Sequence, residues 1–142
     1  MAVESIPARG WGFHPIHAIL VAAALPLLAG ALLSDFAYWK SHEIQWTIFA
    51  SWLNAGALLV LGIALVAALV ALFRAAVRKG WRILYFLLLL ATWVLGFINA
   101  LVHAKDAWAA MPAGLWLSLV VAALACSAKW IAYMGMRREV AP

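Results

Sequence analysis

The sequence predicts an all-α integral membrane protein: four spanning helices in an up-down-up-down bundle, one domain covering residues 1–142. Three observations carry this. Hydrophobic residues make up 69% of the chain and charged residues 11%, where a soluble domain is about half apolar and a quarter charged. The mean hydropathy is +1.04, more apolar surface than 142 residues can hide in a core of their own. The apolar residues also fall into four long runs, each sufficient for the ~20 helical residues that cross a hydrocarbon layer. Together these exclude a cytosolic enzyme, a disordered chain and a free nucleic-acid binder.

The first run covers residues 15–39 and opens on Pro15, which suits the first position of a helix. Its apolar stretch over residues 18–34 exceeds the core of an ordinary leader, and Asp35 and the bulky Trp39 follow it without a clear small-x-small cleavage site, so it is expected as a retained helix. The second run covers 46–73, the third 82–103 and the fourth 111–136. Their continuity excludes barrel strands, which alternate polar and apolar residues. The connections at 40–45, 74–81 and 104–110 are short, so successive helices are expected as antiparallel neighbours.

Ten Lys and Arg against five Asp and Glu give a net charge of +5. The basic residues gather at span ends. Arg9 precedes the first span, Arg74, Arg78, Lys79 and Arg82 flank the second connection, and Lys129, Arg137 and Arg138 close the chain; Lys40 and Lys105 lie opposite. The positive-inside rule then places both termini in the cytoplasm of a bacterial inner membrane. Trp11, Trp39, Trp46, Trp81, Trp108 and Trp130 fall near the expected interfaces, as belt residues do. Cys126 stands alone, which excludes an intrachain disulfide and a thiolate metal cluster. It is expected as a small core residue, and Met111 and Met134 as packing residues.

Polar side chains inside spans are costly, and so they are where function is sought. On the third span Thr92, Gly96, Asn99 and His103 draw one helical stripe, which Asp106 continues. Thr47, Ser51 and Asn54 draw another on the second span, and Ser34, Asp35 and Tyr38 sit near the outer end of the first. All fall in the half away from the cytoplasm. They are expected to face one another in a polar vestibule lined by Asp35, Asn54, Asn99 and His103, with His42 placed to close over it. Asp35 with His103 is either a proton relay or a fixed bond joining the first helix to the third.

His14 and His17 form a second, inner pair, three apart on one face and at the depth of Tyr85, Tyr133, Met134 and Met136. Zinc needs three or four ligands, so a structural role is expected there and no metal site is assigned. Haem needs axial ligands at one depth. His17 and His103 are separated by roughly 30 Å at 1.5 Å rise per residue, which leaves His42 with His103, and more weakly His17 with Met134. Quinone would use an aromatic wall of Trp52, Trp93 and Phe97 near Asn99 and His103. No nucleophile elbow, phosphate loop, dinucleotide fingerprint or HExxH helix occurs, so a non-catalytic or electron-transfer subunit is expected ahead of an enzyme acting alone.

Several motifs resemble those of one membrane family. Gly12-Phe13-His14-Pro15-Ile16-His17 opens the first span and Ser34-Asp35-Phe36-Ala37-Tyr38-Trp39 closes it. Val102-His103-Ala104-Lys105-Asp106-Ala107-Trp108 and Pro112-Ala113-Gly114-Leu115-Trp116-Leu117-Ser118 follow. In order and over nearly the whole chain these resemble "domain of unknown function 2231". The resemblance implies a four-span inner-membrane protein without an agreed activity, whose relatives often accompany periplasmic quinoprotein dehydrogenases of the sugar or sorbosone type. It marks Asp35, Asp106 and the motif histidines as positions of interest.

Three functions compete on these grounds. The favoured one is a small membrane subunit, binding quinone or haem b, that passes electrons from a periplasmic dehydrogenase. The others are a small oligomeric channel or transporter with a polar outer vestibule, and a structural anchor without cofactor. Homo- and hetero-oligomers are both compatible with the sequence.

Overall fold

The structure is a computed structural model that describes residues 15–74 and 80–140. Its elements are α1 (Pro15–Ser41), α2 (Ile44–Arg74), α3 (Gly80–His103), the short α4 (Ala107–Ala110) and α5 (Ala113–Val140). Four of these are long and apolar enough to cross a membrane. The helices run one or two residues past several of the expected span ends, and α5 starts after Pro112 instead of at Met111. The four-residue α4 was expected as loop. His14, with Arg9, Trp11, Arg78 and Lys79, lies outside the described residues.

Each long helix buries a seam, not a broad face. On α1 the buried positions are His17, Val21, Ala24, Leu28, Ala31, Ser34, Asp35 and Tyr38. On α2 they are Thr47, Ala50, Asn54, Ala57, Leu61, Ala64 and Ala68. On α3 they are Tyr85, Leu89, Thr92, Gly96, Asn99 and His103. Steps of three and four alternate, the 3.5-residue repeat of left-handed helix packing. Small residues dominate the α2 seam because lipid supplies no hydrophobic drive for association, and close backbone approach must supply dispersion instead. Val121, Ala125, Ala128 and Ala132 make the corresponding stripe on α5.

α1 packs chiefly on α2 and α3 chiefly on α5, while α2–α3 and α1–α5 contacts join the two hairpins. Leu28, Leu61, Leu89 and Val121 fill the middle of the bundle with apolar side chains. The rest of the apolar surface faces outward, as a bilayer solvent requires. Cys126 belongs to that surface, a correction to its expected core position. In a bilayer an outward thiol meets acyl chains, so the soluble-protein tendency to bury cysteine does not apply.

The first connection is tight. His42 adopts φ 58°, the left-handed region that commonly ends helices, and its N–H donates to Tyr38 O at 2.8 Å. Ser41 Oγ donates to Ala37 O at 2.8 Å and accepts the Glu43 N–H at 3.3 Å. The chain thus reverses within two residues. This sets Asp35, two turns before the end of α1, close to the end of the bundle that carries the α1–α2 connection, the end the sequence leads one to expect on the outer side.

Candidate functional site: a buried carboxylate–imidazole cluster

Asp35 is fully buried. Its Oδ1 lies 2.7 Å from His103 Nε2, and its Oδ2 accepts from Ser118 Oγ at 2.5 Å. Ser118 Oγ in turn accepts from Asn99 Nδ2 at 2.8 Å. His103 Nδ1 lies 2.9 Å from the Asn99 backbone carbonyl. A carbonyl can only accept, so Nδ1 carries a hydrogen. These contacts tie α1, α3 and α5 together through four side chains and one carbonyl.

The directions of these bonds are consistent. Asn99 donates to Ser118 and Ser118 donates to Asp35. The bond to His103 then holds one proton, either on Nε2, giving an ion pair, or on Oδ1, giving a neutral pair. Such a group stays in the membrane interior only when fully partnered.

The helix seams explain the arrangement. Asn99 and His103 are four apart on α3, and Gly114 and Ser118 are four apart on α5, so each pair presents one face. Asn99 meets Ser118 and His103 meets Gly114. A Cβ built on Gly114 would lie 2.9 Å from His103 Cε1. Only glycine lets the imidazole lie against α5 and still reach Asp35.

Asn54 lies one seam away. Its Nδ2 donates to Gly96 O on α3 at 3.0 Å, which joins α2 to the same stretch of backbone. Ser51 and Thr92 donate to backbone carbonyls of their own helices. His42 and Asp106 are exposed and make no described hydrogen bond to the cluster. The His42 ring stacks on Trp108 at 5.7 Å and is tilted against Tyr38 at 6.2 Å.

Of the outer residues singled out in the sequence, Asp35, Asn99 and His103 come together directly. Asn54 is linked through Gly96, and His42 and Asp106 stand at the rim. The group is a closed, hydrogen-bonded knot. Ser118 was not singled out. The available signal was a hydroxyl four residues after a glycine, on a helix face at the depth of Asp35.

The aromatic residues divide. Trp52 is 75% exposed and points away from the bundle. Trp93 donates its N–H to Leu58 O at 3.1 Å, lies over Gly62 and stacks on Phe97 with centroids 5.7 Å apart and planes 5° apart. At the opposite end of the bundle His17 Nε2 lies 2.7 Å from Tyr85 OH, with the rings edge to face. Among the described residues no group of three or more His, Cys, Asp or Glu could hold a metal ion.

Residues 13–137 match the family model described as "Predicted membrane protein (DUF2231)". No curated protein and no solved structure matches the chain.

Proposed function

The chain belongs to that family of predicted membrane proteins, and we propose that it is a small, non-catalytic inner-membrane subunit serving electron transfer from a periplasmic dehydrogenase toward quinone. In this reading the helices run up-down-up-down, both termini are cytoplasmic and the Asp35 cluster lies on the periplasmic side. The observation that supports it is the buried Asp35–His103 bond, a pair that holds one proton within the bundle.

A quinone, when bound, supplies two-electron, two-proton redox chemistry. The stacked Trp93 and Phe97 would give its aromatic wall, since Phe97 is exposed toward lipid. Asn99 and His103, further along the same helix, lie on its buried face with donors engaged inside the cluster, so they do not fit as the polar end of that wall. Asp35 holds the proton at His103 Nε2, Ser118 steadies the second carboxylate oxygen, and Gly114 leaves room for the ring. Trp52 takes no part.

Haem does not fit at His103. Both ring nitrogens are engaged, one by Asp35 and one by the Asn99 carbonyl, so the ring offers iron no lone pair. The channel reading is opposed by the apolar plug of Leu28, Leu61, Leu89 and Val121 across the middle of the bundle.

The test is solvent extraction and redox difference spectroscopy of the protein purified from its native membrane. Co-extracted quinone, a co-purifying dehydrogenase and no haem band are expected. Absence of both quinone and partner would overturn the proposal. A second reading is favoured by the saturation of the cluster: with both carboxylate oxygens and both imidazole nitrogens bonded, it can serve purely as a joint. Unchanged partner activity in Asp35→Asn and His103→Ala, with the complex intact, would select that reading.

A further inference from the structure

Two buried acceptors in the outer half are left over from the hydrogen-bonding described above. Asn54 Oδ1 and Asn99 Oδ1 have no partner, although both residues are 1% exposed. Each carboxamide uses one of its two N–H groups, Asn54 on Gly96 O and Asn99 on Ser118 Oγ. Gly96 and Asn99 are three apart on α3, so both amides flank the same turn of that helix.

The donors nearby are committed elsewhere. The Thr92 hydroxyl donates to Leu88 O and that of Ser51 to Thr47 O. The Trp93 N–H donates to Leu58 O, and the Ser118 hydroxyl to Asp35. A buried acceptor without a donor costs about 1–3 kcal/mol, and no acyl chain can supply one.

We propose that a water molecule is bound inside the bundle between α2 and α3, donating one hydrogen to Asn54 Oδ1 and the other to Asn99 Oδ1. The donor set argues for water over other ligands. Two neutral amide oxygens cannot replace the six or more oxygens of a hard cation's shell. The nearby carboxylate of Asp35 has both oxygens engaged already. A ligand here must therefore be neutral, small and able to donate twice, and buried waters typically make two to four such bonds. On the side toward the membrane centre, Leu58 and Val121 pack against Gly96, which confines the site to the polar end. Through this water the network of α1, α3 and α5 reaches the side chain of α2, so all four long helices share it. The inference does not depend on quinone or on any partner.

An experimental structure of the full chain in lipid nanodiscs, at a resolution that shows ordered water, tests it. A density peak within about 2.7–3.2 Å of both oxygens is expected, and it should disappear in Asn54→Leu. No peak, or a peak touching only one of the two oxygens, would overturn it. The wild-type density decides alone should the variant not fold.

Discussion

The two ends of the bundle solve the same problem with different chemistry. At the end that carries the α1–α2 connection Asp35 of α1 meets His103 of α3; at the opposite end His17 of α1 meets Tyr85 of α3. The intervals match. From 17 to 35 and from 85 to 103 are both 18 residues, five full helical turns, or about 27 Å of rise. The two contacts therefore use the same faces of the same helices, near opposite surfaces of a hydrocarbon layer of about 30 Å. The Asp35–His103 contact includes a carboxylate, and a hydroxyl from α5 and an amide from α3 gather around it. A group that can carry charge inside a membrane needs a full set of partners, whereas an imidazole and a phenol can meet as neutral groups.

That contrast makes ordered predictions, read as thermal or chemical unfolding of the purified protein in detergent. The largest effect is expected for Asp35→Ala, which strips His103 and Ser118 of their acceptor and should cost about 3–5 kcal/mol. If the inner variant Tyr85→Phe proved equally damaging, the contrast would fail. Next come the glycines on which each end rests. Gly114→Ala drives a methyl into the His103 ring, and Gly135→Ala places one 2.3 Å from the Trp81 ring. Each should cost about 1–3 kcal/mol by overpacking. Only Gly114→Ala should be non-additive with Asp35→Ala, since it acts on the same imidazole. Tyr85→Phe itself should cost about 0.5–1.5 kcal/mol, the usual worth of a hydrogen bond. The smallest effect is expected for Trp52→Ala, within about 0.5 kcal/mol as for surface substitutions elsewhere. A large loss there would mean that this outward indole rests against something other than lipid.

Much of this was readable in the sequence because lipid is a demanding solvent. Twenty-residue apolar runs announced the helices, and polar residues at seam spacing announced the outer stripe of Asn99 and His103. Asp35 was legible because a carboxylate within a span must find a partner. Ser118 was not, since a hydroxyl in a helix more often donates to its own backbone, as Ser51 and Ser127 do here. Cys126 was misplaced because sequence spacing alone does not say which side of a helix meets lipid. The link from Asn54 to Gly96 O was also hidden, because a backbone carbonyl leaves no mark in a sequence. The closed form of the cluster followed from Gly114, whose role depends on a neighbouring helix approaching it.

The central claim is that Asp35 and His103 act as one buried unit. A double-mutant cycle of Asp35→Ala and His103→Ala, measured by unfolding in detergent, tests it most directly. The account predicts a coupling energy of about 1–3 kcal/mol between the two substitutions. Additive losses, with no coupling beyond experimental error, would contradict it.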